Sequence, residues 1–241
     1  MKSNIVGQSM WSRAVKSIPG GNGLLSKRPD RYAPDIWPSY FSSSHGVEVD
    51  DLDGNRFIDM AQMGIGSSIL GYAHPELTDA VTETIRKGVN CTLNAPEEVM
   101  LAERLLELNP FAGGVRFAKT GGEAMSMAIR IARAHTGKDK VLFSGYHGWC
   151  DWYLATNIQN KSGLDDHLIS GLSTKGVPLG LANTAIPFKY NDVGDLQRVL
   201  DENPDAGAIC IEGARYEFAS PEFLSLISLS AKKRNLIVIL D

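Results

Sequence analysis

From residue 115 onward the chain alternates short apolar stretches with amphipathic ones, and this rhythm constrains the fold more than any other feature. Residues 115–119, 140–145, 184–188, 208–212 and 236–241 read as strands. Residues 122–135, 192–202 and 221–234 read as the helices between them. The runs Ala208-Ile209-Cys210-Ile211 and Leu236-Ile237-Val238-Ile239-Leu240 are continuously apolar. Such runs belong to strands covered on both faces of a largely parallel sheet. The pattern predicts an α/β architecture, doubly wound.

The first strand–helix junction is Thr120-Gly121-Gly122-Glu123. A glycine turn at a helix start leaves backbone N–H groups free, and the helix dipole favours an anion there. Glycine also lets a ligand approach the backbone closely. Thr120, Gly121 and Gly122 are therefore candidates for a phosphate seat.

Ligands of open α/β sheets sit outside the carboxyl ends of the strands. Tyr146 and His147, Glu212, and Asp241 each follow or close such an end. A phosphate seat, an aromatic ring and two carboxylates at one edge suit a flat, phosphorylated, nitrogen-containing ring. Each residue also has an ordinary use: Tyr146 as a cap on the core, His147 as a satisfied structural histidine, Glu212 as a partner of Arg215, Asp241 as a solvated end. Only their convergence argues for a site.

The N-terminal part follows a different logic. Residues 9–17 predict a short helix, ended by Pro19-Gly20-Gly21-Asn22-Gly23. Residues 24–45 read as a loop-like arm carrying Tyr32, Trp37, Tyr40 and Phe41. Residues 47–58 predict a hairpin turned by Asp53-Gly54. The acidic run around it has its glycine too early for a calcium loop. Amphipathic helices are expected from Pro75 to near Gly88 and from Pro96. Residues 151–183 break the strand–helix rhythm, and loops beyond about 12–15 residues are usually functional or mobile.

Composition narrows the function classes. Lys and Arg number 24 against 28 Asp and Glu, a net charge of −4, which gives no support for nucleic acid or an acidic membrane as partner. No apolar run approaches the roughly 18 residues that span a bilayer, and the first residues carry no signal-peptide core. Three separated cysteines fit a cytoplasmic location. The five scattered histidines give a metal site little support.

In order and spacing, these segments together resemble the class III aminotransferases, which are fold-type I pyridoxal-phosphate enzymes. The resemblance runs through Ile18-Pro19-Gly20-Gly21, Asp51-Leu52-Asp53-Gly54-Asn55 and Leu70-Gly71-Tyr72-Ala73-His74-Pro75. It continues through Arg116-Phe117-Ala118-Lys119-Thr120-Gly121-Gly122-Glu123-Ala124, Tyr146-His147-Gly148-Trp149 and Ile237-Val238-Ile239-Leu240-Asp241. The nearest subgroup resembles glutamate-1-semialdehyde aminomutase, over its N-terminal portion.

The resemblance implies that Thr120, Gly121 and Gly122 hold the cofactor phosphate. It implies that Tyr146 stacks on the pyridine ring and that Asp241 pairs with the ring nitrogen. His147 and Glu212 become supporting or ring-orienting groups. It further implies a homodimer with composite sites, and amino transfer on a small amino acid, amino sugar or aldehyde or keto substrate. Residues 1–60 form an arm, helix and hairpin, part of a small domain, and 61–241 an incomplete cofactor-binding domain, truncated before the family's C-terminal domain.

This chain departs from the family at several points. None of Lys161, Lys175, Lys189, Lys232 or Lys233 has the context of the Schiff-base lysine, which is both tether and proton shuttle. The expectation is a fragment or degenerate member without turnover of its own. Gly122 stands where Ser or Thr is usual, and Gly213 where Pro follows the glutamate. Gly23-Leu24-Leu25-Ser26-Lys27-Arg28 replaces a carboxylate-binding segment, and Ile65 stands in for a tryptophan, so glutamate semialdehyde is not implied as substrate.

A dinucleotide-binding domain is the rival reading. Gly64-Ile65-Gly66 lacks its third glycine, and the Walker-like spacing from Gly171 to Gly176 is followed by Val177 instead of lysine.

Overall fold

The computed structural model describes residues 4–61, 63–64, 66–167 and 172–241. Ile65 and Gly171, singled out above, lie outside them. The chain forms two compact units, Met1–Leu101 and Ala102–Asp241.

In the first unit, α1 runs over Ile5–Ser17 and starts earlier than the local pattern predicts. The reason is a distant cap. The Asp53 carboxylate accepts hydrogen bonds from the N–H groups of Ile5, Val6 and Gly7, each at 3.0 Å. A carboxylate there satisfies orphan donors and complements the dipole. Strands β1 (Phe41–His45), β2 (Glu48–Asp51) and β3 (Arg56–Ile58) form an antiparallel sheet in that order. The predicted hairpin is β2–β3, with Gly54 at φ 76° in its turn. Strand β1 falls in the segment read as an arm, because Ser42-Ser43-Ser44 offers no apolar alternation and β1 draws its order from its ladder with β2. Helix α2 (Pro75–Lys87) follows, then α3 (Pro96–Leu108), whose residues from Ala102 belong to the second unit, each helix opened by its proline.

The second unit contains α4 (Gly121–Thr136), β4 (Val141–Ser144), the short α5 (Asp151–Leu154), β5 (Ala185–Pro187), α6 (Val193–Glu202), β6 (Ala208–Ile211), α7 (Pro221–Arg234) and β7 (Ile237–Leu240). The sheet order is β5-β4-β6-β7, and every pairing is parallel.

Side chains alternate across this sheet as the pleat requires. Val141, Phe143, Ala208 and Cys210 pack with Met125, Ile129 and Ala132 of α4. Leu142, Ile209 and Ile211 pack with Leu196, Val199 and Leu200 of α6 and Phe223 and Ile227 of α7. Helices thus cover both faces, which is the doubly wound arrangement. Ser220 caps α7 by accepting from Phe223 N–H at 3.2 Å, with Pro221 at the first position.

Two expectations are corrected. Residues 115–119 form no strand: the sequence favours an extended backbone there, but among the described residues no partner supplies a ladder. Strand β7 is not covered on both faces, since Val238 and Leu240 are exposed while Ile237 and Ile239 pack inward. It is an edge strand of the described sheet. The described part of 151–183 packs on the body of this unit. Trp152, Tyr153 and Leu164 are core residues, and Asn157 ties Leu164 N–H and the Leu172 carbonyl together at 3.0 and 3.2 Å.

Candidate cofactor site

The parallel sheet brings the predicted residues to one edge. Helix α4 starts at Gly121, His147 lies just beyond β4, Glu212 follows β6 and Asp241 follows β7. These are the carboxyl ends of three adjacent strands and one helix N-terminus.

Thr120 is the N-cap of α4, with φ −132° and ψ 155°. Its Oγ1 accepts from Glu123 N–H at 3.2 Å. The Glu123 carboxylate accepts in return from the N–H groups of Thr120 and Lys119, at 3.1 and 3.0 Å. This capping box fixes the helix start. The N–H groups of Gly121 and Gly122 find no acceptor among the described residues. They are an open donor pair at a dipole's positive end.

The α4 start touches the loop after β4 backbone to backbone. Gly148 has φ 93°, and a Cβ there would lie 2.7 Å from the Gly122 Cα. Cys150 Sγ also meets the Gly122 carbonyl at 3.4 Å. Glycine at 148 is what permits this approach.

His147 is fully buried. Its Nε2 donates to the Ser144 carbonyl at 3.1 Å, and its Nδ1 lies 2.8 Å from Asp241 Oδ2. A carbonyl only accepts, so Nε2 carries a proton. The other carboxylate oxygen, Asp241 Oδ1, has no protein partner among the described residues.

Tyr146 is half-buried, 5.2 Å from the Trp149 ring and edge-on to Tyr153 at 5.9 Å. Burial raises its phenol pKa. Glu212 Oε2 lies 2.6 Å from Arg215 Nε, close enough for an ion pair. That oxygen is nonetheless buried with no aligned hydrogen bond. Burial raises the Glu212 carboxyl pKa and outweighs the opposing pull of Arg215 and His147.

Sequence reasoning missed the support behind this loop. Gly145 has φ 118°, and the Glu212 carboxylate sits where its Cβ would be. The Gly145 N–H donates to His167 Nδ1 at 3.2 Å, and its carbonyl accepts from Tyr153 Oη at 3.0 Å. Arg215 Nη2 donates to the His167 carbonyl. Burial and the nearby Arg215 charge lower the His167 pKa to about 4. No local motif marks His167. It lies in the irregular segment, and only the glycine directly after a strand hints that something crowds position 145. A cleft of about 550 Å³ also shares His167 and Arg215 and is lined besides by Tyr190, Asp195, Arg198 and Tyr216. It reaches none of Thr120, Tyr146 or Asp241.

The donor set fits a phosphorylated pyridine. Open N–H groups suit the phosphate, an unpartnered carboxylate oxygen suits a protonated ring nitrogen, and a half-buried phenol offers an aromatic face.

The fold is the fold-type I α/β architecture of pyridoxal-phosphate-dependent transaminases. The family model Aminotransferase class-III matches residues 33–241. The chain is 32% identical over 241 residues to 3-aminobutyryl-CoA aminotransferase of Cloacimonas acidaminovorans, covering 97% of this chain and 54% of that protein. It is 34% identical over 204 residues to glutamate-1-semialdehyde 2,1-aminomutase of Sulfurisphaera tokodaii, covering 84% and 46%. A solved transaminase with pyridoxal phosphate bound superposes with a TM-score of 0.85 at 27% identity, over 100% of this chain and 56% of that one. The chain belongs to the class III aminotransferase family, whose cofactor is pyridoxal phosphate. It spans about half the length of the curated relatives it matches. Among the described residues, no helix is long and apolar enough to cross a membrane.

Proposed function

We propose that Thr120, Gly121, Gly122, Tyr146, His147, Glu212 and Asp241 form the pyridoxal-phosphate site of a class III aminotransferase or aminomutase. Its substrate is a small amino acid, amino sugar, or aldehyde or keto compound. The observation that carries this reading is the His147–Asp241 contact of 2.8 Å at the same sheet edge as the open α4 N-terminus. When bound, pyridoxal phosphate supplies an electron sink for bond cleavage at the carbon bearing the substrate's amino group.

The residues have separate tasks. Gly121 and Gly122 N–H groups donate to phosphate oxygens, helped by the α4 dipole. Thr120 fixes the start of that helix and keeps its hydroxyl proton available. Asp241 holds a proton on the ring nitrogen, and His147 fixes the carboxylate that does so. Tyr146 covers one ring face and excludes water from it. Glu212, kept close by Arg215, is a supporting, ring-orienting group.

The functional unit in this reading is a cytoplasmic homodimer. The exposed stripe Leu77, Val81 and Ile85 of α2 and the three free cysteines support it.

The test is a fluorescence titration of the purified protein with pyridoxal phosphate, in parallel with D241N. Saturable binding, weakened at least tenfold by the substitution, supports the site. No binding at millimolar cofactor, or binding indifferent to D241N, removes it.

A further inference from the structure

We infer that His167 is a positioning residue for the cofactor loop, acting through the main chain of Gly145. The inference rests on the cofactor reading of Tyr146, His147, Glu212 and Asp241.

Strand β4 ends at Ser144, so the main chain of Gly145 has left the ladder and needs new partners. Both come from the segment that follows α5 or includes it. His167 Nδ1 accepts the Gly145 N–H at 3.2 Å, and Tyr153 Oη donates to the Gly145 carbonyl at 3.0 Å. The backbone is thereby held at φ 118°, a conformation only glycine adopts readily. The next two residues are Tyr146 and His147, so the torsions at Gly145 aim both side chains.

The main chain of His167 reaches the other carboxylate by a second route. The His167 carbonyl accepts from Arg215 Nη2, and Arg215 Nε lies 2.6 Å from Glu212 Oε2. The Glu212 carboxylate in turn crowds the Gly145 Cα. Gly145, His167, Arg215 and Glu212 therefore close a ring behind the proposed cofactor face.

The role depends on the acceptor nitrogen and not on ring volume alone. His167 is 6% exposed and lies 5.4 Å from the Phe143 ring, so any flat ring fills the space. Only a ring without a proton on Nδ1 accepts from Gly145. Its low pKa keeps it neutral near pH 7.

The variants H167N, which returns an acceptor oxygen near the Nδ1 position, and H167F, which keeps a ring without one, separate the two roles. Three readouts apply to the 241-residue protein: imidazole 15N shifts, Gly145 amide exchange, and the Kd for pyridoxal phosphate. The inference expects a proton on Nε2 and none on Nδ1 in the wild type. It expects Gly145 exchange and Kd both at least tenfold worse in H167F, and both within about threefold of wild type in H167N. A proton on Nδ1 in the wild type overturns it without recourse to any variant. So does an H167F protein with unchanged Kd, or an H167N protein as weak as H167F. A wild type that binds no pyridoxal phosphate overturns the cofactor reading first, and this inference with it.

Discussion

His147 Nδ1 stands 2.8 Å from Asp241 Oδ2, joining the loop after β4 to the end of β7 across 94 positions of sequence. The contact aligns the Asp241 carboxylate and leaves its second oxygen without a protein partner among the described residues. Removing the imidazole frees the carboxylate to rotate. We expect H147F to raise the Kd for pyridoxal phosphate about threefold to tenfold and D241N to raise it more. Equal Kd values for wild type and H147F would show that His147 does not orient Asp241.

The close approach of Gly122 and Gly148 makes a second prediction. At Gly148, φ is 93° and a Cβ would fall 2.7 Å from backbone. Strain at positive φ and overpacking each cost roughly 1–3 kcal/mol, so G148A should destabilise by about 2–6 kcal/mol. Denaturant unfolding of the two proteins measures it. A loss below about 0.5 kcal/mol would mean the loop moves aside freely.

The capping box sets the position of the open donors. T120A removes the acceptor for Glu123 N–H and should cost about 1 kcal/mol, while T120S should retain most of it. Cofactor affinity should fall with T120A through misplacement of Gly121 and Gly122. If T120A lowers the unfolding midpoint yet leaves Kd unchanged, the helix start tolerates the loss of its cap.

Acid should act on His167. Its pKa falls from 6.5 in the unfolded chain to about 4 in the fold, chiefly by burial and next by the Arg215 charge, with His147 also lowering it and Asp166 opposing. Between these values the unfolded chain binds the extra proton, so the stability from this group is complete above about pH 6.5 and is lost as pH falls toward about 4. The shift corresponds to roughly 2–4 kcal/mol at full extent. The raised Glu212 pKa works in the opposite direction, favouring the folded state at lower pH. Chemical unfolding from pH 7 to 4.5 should therefore show a loss in wild type that is smaller in H167N. Parallel curves for the two proteins would assign the acid sensitivity elsewhere.

The doubly wound sheet was legible because β6 and β7 carry uninterrupted apolar runs and because amphipathic stretches for α4, α6 and α7 alternate with the strands. Helix α7 declared both ends through Ser220, Pro221 and Asn235. What local pattern could not supply was partnership. Residues 115–119 have strand composition but no ladder, and the serine-rich β1 has a ladder without strand composition. The cap of α1 comes from Asp53, far along the chain. At the site, Thr120, Gly121, Gly122, His147, Glu212 and Asp241 each followed from a strand end or helix start. His167 and Tyr153 did not, because their task is to satisfy a main-chain group of Gly145, and no residue type announces that.

The central claim is that the edge formed by the α4 N-terminus, the β4 loop and Asp241 binds pyridoxal phosphate. Titration of the purified protein with the cofactor, followed by tryptophan fluorescence, tests it most directly. The account predicts saturable binding in the wild type and at least tenfold weaker binding in D241N. A wild type indifferent to millimolar pyridoxal phosphate, or a D241N protein that binds as tightly as wild type, would contradict it.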